Sequence, residues 1–159
     1  MSYESVLVNA SVVDTMTVFN DHKEIYMASA VSRIKAAPSE QALAHFNQLL
    51  SFETDCWDVH HAITNGRQDF VLLDVRADTL FNQGHIHGAI NLLHSKINES
   101  SMQSFDKQTL IVVYCAGPHC NGTEKAAIRL AKLGYPVKKM IGGVTGWLDE
   151  GFSLVTEEN

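Results

Sequence analysis

The sequence predicts an α/β protein in which a parallel sheet is covered by helices on both faces. Beyond residue 70, four short apolar runs alternate with helical or loop segments: Phe70–Val75, Ala89–Leu93, Leu110–Tyr114 and Val137–Ile141. Such runs are long enough for a strand and too short for an ordinary helix. Buried strands spaced by crossovers belong to parallel sheets with both faces covered. The segment after the third run carries helix start and stop signals of its own.

Taken in order, Val6–Phe19 reads as either a strand or a helix, and Glu24–Lys35 as a helix with Ala, Met and Ile along one side. Ser39–Leu50 and Asp55–Asn65 read as short amphipathic helices with Ser39 and Asp55 as caps. Phe70–Val75 and Ala89–Leu93 are the first two strands of the alternating region. Thr109–Tyr114 is apolar and β-branched enough for a central strand. Thr123–Leu133 is the following helix. Asn121-Gly-Thr-Glu124 has the form of a capping box, with Asn121 at the N-cap and Glu124 reaching back. Gly134, followed by Pro136, closes that helix. Val137–Ile141 is the last strand. There is no internal repeat or low-complexity tract. Residues 1–38 are therefore read as a partly helical N-terminal extension and 39–159 as the domain.

Composition narrows the function classes. A chain of 159 residues with 45% hydrophobic residues and three prolines fits one globular domain with a core of its own. A net charge of −6 gives no basic footprint, so nucleic acid is not an expected partner. No apolar stretch approaches the roughly 20 residues of a membrane span. The start, Met-Ser-Tyr-Glu-Ser-Val-Leu-Val, lacks the basic and long apolar regions of a secretory signal. Three cysteines without framework spacing suit a reducing compartment, so a cytoplasmic location is expected.

Cys115 is the residue with the most chemistry behind it. It follows the strand Thr109–Tyr114 and opens the loop Cys115-Ala-Gly-Pro-His-Cys-Asn-Gly122 before the next helix. A thiol at a strand's C-terminal end, facing a helix N-terminus, is placed for nucleophilic work. Backbone N–H groups and the positive end of the helix dipole favour the thiolate there. The competing reading is a small buried core residue, as free cysteines often are. Two further clusters accompany it. Asp74-Val-Arg76 ends the first strand and is followed by Gly84-His-Ile-His-Gly-Ala-Ile-Asn91. A buried Arg needs an acidic partner, so Asp74 and Arg76 are expected in one polar network. Ile141-Gly-Gly-Val-Thr-Gly-Trp147 follows the last strand, with two glycines for close backbone approach and Trp147 for packing.

In this order, Asp-x-Arg, Gly-His-Ile-x-Gly-Ala, strand-Cys-loop-helix and Gly-Gly-x-x-x-Trp resemble the rhodanese, or sulfurtransferase, domain family over about residues 55–152. The resemblance implies a five-stranded parallel sheet flanked by helices, with Cys115 in the active-site loop. It implies that Cys115 takes sulfane sulfur from a donor, becomes a persulfide and passes the outer sulfur to a nucleophile. Asp74, Arg76, Gly84, His85 and Gly88 match the family's structural signature rather than its chemistry, and Gly142, Gly143 and Trp147 extend it. Three departures stand out. The loop is longer than the family's usual one and holds no Arg or Lys. Leu80 replaces a frequent glutamate, and His87 a frequent proline. The longer loop resembles the phosphatase-like branch, yet that branch clamps phosphate with a loop Arg. No Arg lies between Cys115 and Arg129.

The remaining loop residues can be given roles on chemical grounds. Amides from Ala116 and Gly117 through Gly122, with Pro118 contributing none, form the anion-binding loop. His119 is either a proton donor for a leaving group or an exposed loop histidine. Cys120 either resolves a persulfide on Cys115, leaving a disulfide, or protects Cys115 from overoxidation, or packs away. Cys56 is read as structural. Neither Cys115 with Cys120 nor the histidine pairs His60/His61 and His85/His87 have metal-ligand company, so no metal and no cofactor are expected. The resemblance implies a small sulfur donor (thiosulfate, mercaptopyruvate or a persulfide) and a thiol or protein as acceptor. The rival readings are a non-catalytic binding module and an oxyanion enzyme acting on phosphate or arsenate. Residues 1–38 are read as covering a sheet edge or as mediating a homodimer.

Overall fold

The computed structural model describes residues 28–156. It divides into two units, Met1–Ala42 and Leu43–Asn159. Each is taken by itself.

Val6–Phe19 lies outside the described residues. For the helix expected over Glu24–Lys35, the described part is a single exposed turn, closed by the Arg33 amide donating to the Ser29 carbonyl at 3.0 Å. The Ser29 hydroxyl also accepts from the Ser32 amide at 3.1 Å. Serine bonding to its own neighbourhood in this way competes with helix formation, and no apolar face is buried here to offset it.

Helix α1 (Ser39–Phe52) begins where the sequence indicates, but Ser39 is not its cap. The Pro38 carbonyl accepts the first helical bond, from Ala42 at 3.0 Å, so Pro38 occupies the capping position. Strand β1 (Glu53–Thr54) follows, then α2 (Cys56–Thr64), β2 (Phe70–Asp74), α3 (Asp78–Gln83) and β3 (Ile90–Asn91). A short 3-10 turn (His94–Lys96) and α4 (Glu99–Met102) lead to β4 (Leu110–Tyr114), α5 (Gly122–Lys132), β5 (Val137–Met140) and α6 (Gly143–Asp149). Asp55 does cap α2, its carboxylate accepting from the Asp58 amide at 2.8 Å. The expected capping box at α5 does not form. Asn121 makes no side-chain cap bond, and Glu124 turns outward to Thr123 and Lys139 instead. A charged partner on a neighbouring strand outcompetes a neutral backbone amide.

The five strands form one parallel sheet in the order β1-β5-β4-β2-β3. Side-chain alternation along β4 sorts its residues onto two faces. Ile111, Val113 and Cys115 join Leu73, Ala126 and Leu130 in a core beneath α5. Val112 and Tyr114 join Val59, Ile86 and Trp147 in a second core beneath α2 and α6. Cys115 therefore emerges on the α5 side because it is in phase with Val113.

A buried ion pair ties β2 to the loop beyond it. Asp74 is fully buried and Arg76 is 8% exposed. The guanidinium donates to both carboxylate oxygens, Nε at 2.9 and 3.0 Å and Nη2 at 2.6 Å, and Nη2 also donates to the Gly84 carbonyl at 2.8 Å. Burial alone would lower the Arg76 pKa, but its bonds to Asp74 reverse that and leave it raised. The partner that Leu80 does not supply is thus Asp74, two residues away. Tyr114 completes the network by accepting from the Ile86 amide at 3.1 Å, and burial pushes its own ionisation above the ordinary phenol range. Truncating Asp74 strands the guanidinium. Asp74→Ala is expected to cost about 3–5 kcal/mol in urea unfolding, against under about 0.5 kcal/mol for Leu80→Ala on the surface.

Candidate active site

Strand β4 delivers Cys115 to the carboxyl end of the sheet, where α5 and α6 both begin. Its sulfur meets the start of α5 directly: a Cβ placed on Gly122 would lie 2.8 Å from the Cys115 Sγ and 3.4 Å from the Cys120 Sγ. The first-turn amides of a helix have no acceptor within the helix, so this end places positive potential beside the sulfur.

A second helix start holds the loop in place. Val144 and Thr145, in the first turn of α6, donate their amides to the carbonyls of Cys115 at 3.0 Å and Ala116 at 2.9 Å. The Thr145 hydroxyl also donates to Ala116, at 3.0 Å. Donors left over by one helix thus satisfy acceptors left over by the strand end. This docking requires glycine at 143. Its φ of +58° is left-handed, and a Cβ there would collide with the Cys115 carbonyl and lie 2.9 Å from the Gly117 amide nitrogen. Cys56 braces the same turn from the other side, its thiol near the carbonyls of Ile141 (3.4 Å) and Gly143 (3.6 Å). Burial, reinforced by Asp55 and Glu150, pushes that thiol up to about 11. It stays protonated and inert at neutral pH.

The loop turns at Gly117-Pro-His-Cys120, closed by the Cys120 amide donating to the Gly117 carbonyl at 3.0 Å. That amide is therefore spent within the turn and does not join the loop donors. The side chain of Cys120 faces back across the loop, and its sulfur is paired with that of Cys115.

A cleft of about 390 Å³ opens over the pair, lined by Cys115, Cys120, Thr123, Glu124 and Lys139 together with the Gly142–Gly143 turn. His119 is not on its wall. It is exposed and faces a shallower hollow on the outer side of the loop, with Asn121. His85 is buried elsewhere, stacked on Phe81 at 3.7 Å with Nδ1 3.0 Å from the Phe81 carbonyl. Its backbone bridges to Val155. Trp147 packs in the α2/α6 core and donates its indole N–H to Ser153 at 3.0 Å. Gly88 makes a left-handed turn, φ +78°, two residues before β3. Among the described residues no group of three or more His, Cys, Asp or Glu is placed to hold a metal, and no helix is long and apolar enough to cross a membrane.

Sequence reasoning missed three wall residues, Thr123, Glu124 and Lys139, and Lys139 is the one cation among them. Its signal was a pair of lysines inside a strand that a buried parallel sheet should fill with apolar residues. Lys139 bonds Glu124 at 3.0 Å and Glu53 at 3.2 Å. The bond to Glu124 raises the Lys139 pKa. In return, despite burial pulling the other way, bonds led by Lys139 hold the Glu124 carboxyl below its ordinary range. One cation among two carboxylates leaves this wall with no surplus positive charge.

The sequence profile of a family described as "Rhodanese-like domain" matches residues 58–150. The chain is 36% identical over 93 residues to the uncharacterized protein YibN of Escherichia coli (strain K12), a stretch covering 56% of this chain and 63% of YibN. It thus spans less than two thirds of that relative. Over 82 residues it is 32% identical to the thiosulfate sulfurtransferase GlpE of Coxiella burnetii (strain RSA 493 / Nine Mile phase I), covering 51% of this chain and 74% of GlpE. The crystal structure of BH2092 from Bacillus halodurans superimposes with a TM-score of 0.73 at 36% identity, over 75% of this chain and 87% of that one.

The docking of the α6 turn on the cysteine loop can be tested against a neutral control. Gly143→Ala combines left-handed strain with a backbone collision, so it should destabilise by at least about 2 kcal/mol and slow alkylation of reduced Cys115. Gly151, also left-handed at φ +78° but facing open space, should cost only about 1 kcal/mol on changing to Ala and leave the Cys115 rate unchanged.

Proposed function

We propose that this chain, which belongs to the rhodanese-like domain family, is a sulfurtransferase that carries sulfane sulfur on Cys115 from a small donor to a thiol or protein acceptor. The observation that carries this reading is the seat of the Cys115 sulfur, at the end of β4 and against Gly122 where α5 begins. With the loop cysteines reduced, the α5 start favours Cys115 thiolate, which attacks the outer sulfur of the donor. The bond from that sulfur to the rest of the donor breaks, and the leaving group departs with the electron pair. It is sulfite from thiosulfate, an enolate from mercaptopyruvate, or a thiolate from an organic persulfide. The new persulfide anion takes the place of the thiolate before the same helix dipole. An acceptor thiolate then attacks the outer sulfur and releases Cys115. A reducing cytoplasm, the expected location, keeps the loop cysteines available for this cycle.

The cleft's electrostatics favour one donor class. The loop has no Arg or Lys, and Lys139 is already shared by two carboxylates. A dianion such as thiosulfate gains little here, whereas the reacting group of an organic persulfide carries at most one negative charge. The name of the relative GlpE lends support to the reaction type rather than to thiosulfate as this chain's donor. The oxyanion reading draws no support from the site: Arg129 lines a different cleft, with Asn98, Glu99 and Lys132. The binding-module reading predicts an unreactive Cys115.

The test is intact-mass measurement of the full chain in a Cys120→Ser background, where the loop disulfide cannot form. Brief exposure to glutathione persulfide should add one sulfur, about 32 Da, that is absent when Cys115 is also changed to Ser. Loading by thiosulfate should be slower. Glu124→Gln, which removes a wall charge, should narrow that gap by about 2- to 10-fold, most at low salt. No adduct from persulfide, mercaptopyruvate or thiosulfate, with Cys115 reduced and alkylatable, contradicts the proposal.

A further inference from the structure

We propose that Cys120 is a second redox centre, which converts the Cys115 persulfide into free sulfide and makes the protein a dithiol-dependent sulfane-sulfur reductase. The inference rests on the persulfide reading above and extends it to the fate of the sulfur.

The two sulfurs are brought together by the ordinary shape of the loop. The Cα atoms of Cys115 and Cys120 are 6.5 Å apart, within the span of about 4.4–6.8 Å that a disulfide bridges without backbone movement. The turn closed by Cys120 N–H to Gly117 carbonyl sets that spacing, and Pro118, in its second position, has the φ such turns require. Gly122 leaves the room: a side chain there would press on both sulfurs at once, at 2.8 and 3.4 Å. Both cysteines line the same cleft, and Cys120 packs against the core cluster that contains Cys115. The third cysteine, Cys56, faces the carbonyls of Ile141 and Gly143 instead. The pairing therefore belongs to this loop.

This geometry aims Cys120 at the inner sulfur of a persulfide, the one attached to the Cys115 side chain. The Cys120 thiolate attacks that atom, forming the Cys115–Cys120 bond. The bond between the inner and outer sulfur breaks, and its electron pair leaves with the outer sulfur, which takes the proton that Cys120 gave up on ionising and departs as HS⁻. Two cysteine thiols are oxidised and the sulfane sulfur is reduced, a two-electron exchange. The pairing of Cys115 with Cys120 in the loop is the arrangement this step would leave. A dithiol reductant, small molecule or protein, then returns the loop to two thiols and becomes a disulfide itself. With an organic persulfide as donor, the sum is RSSH plus dithiol giving RSH, H₂S and the oxidised dithiol. Holding the attacking thiol beside its target replaces a bimolecular encounter with an intramolecular one.

A single-turnover experiment separates this inference from the reading beneath it. Full-length protein, reduced and freed of reductant, is loaded with glutathione persulfide and desalted, and free sulfide is measured with no thiol added. The wild type should release its sulfur as sulfide and end with Cys115 bonded to Cys120. Cys120→Ser should keep its added sulfur, releasing it at least about tenfold more slowly until dithiothreitol is supplied. If the wild type holds its persulfide as long as Cys120→Ser does, Cys120 does not resolve it and the inference falls, while the transferase reading stands. If Cys120→Ser takes up no sulfur, both fall.

Discussion

The structure turns on a meeting of unsatisfied backbone groups. The carbonyls of Cys115 and Ala116 leave β4 with no strand ahead of them, and Val144 and Thr145 open α6 with amides that no helical carbonyl can accept. Each set satisfies the other. Because the donors and acceptors are main-chain groups, the contact demands backbone-to-backbone proximity, which only glycine at 143 permits. One consequence is positional. Pinning the loop carbonyls on the α6 side fixes the Cys115 sulfur against the opposite helix, α5, whose positive end it then faces. The position of this thiol is a result of two helices beginning at the same carboxyl edge of a parallel sheet.

The charges around the sulfur follow a different logic from the main chain. Helix starts give local, directional positive potential without a cation, while Lys139 is held between Glu53 and Glu124 and adds little field of its own. The site is therefore suited to stabilising one anionic sulfur and unsuited to collecting multiply charged ligands. Deeper in the fold, the opposite choice is made: Asp74 and Arg76 are both charged and both buried, with every contact bidentate or to backbone. That pair fixes the end of β2 and the loop to Gly84. Cys120 places a second sulfur within bonding reach of the first in the same loop.

The central strands, the crossover helix after β4 and the place of Cys115 were legible because each rests on local pattern: apolar runs, a glycine stop, a thiol at a strand end. Strand β1 was not. It has two residues, Glu53 and Thr54, with no apolar signature, and exists only because β5 pairs with it. The Asn121–Glu124 capping box failed for a related reason, since Glu124 had a better partner on β5 than sequence neighbours could reveal. His119 was a reasonable candidate by type, but the four-residue turn Gly117–Cys120 decides which way its side chain faces, and it faces out. Lys139 was visible as an anomaly in a buried strand, and only the sheet order showed that the anomaly opened on the cysteine. The Asp74–Arg76 network, by contrast, followed from the cost of burying an Arg alone.

The most direct test of the account is the ionisation of Cys115 itself. In reduced Cys120→Ser protein, the rate of alkylation at Cys115, followed by peptide mass analysis from pH 5 to 10, gives the midpoint at which the thiolate forms. Cys56, pushed up to about 11, does not interfere. If the α5 start and the docked loop act as described, the midpoint falls at or below about 7.5, at least one unit under an ordinary thiol. A midpoint at about 8.5 or above would mean that the helix start does not activate this sulfur, and the assignment of Cys115 as the nucleophile would lose its physical basis.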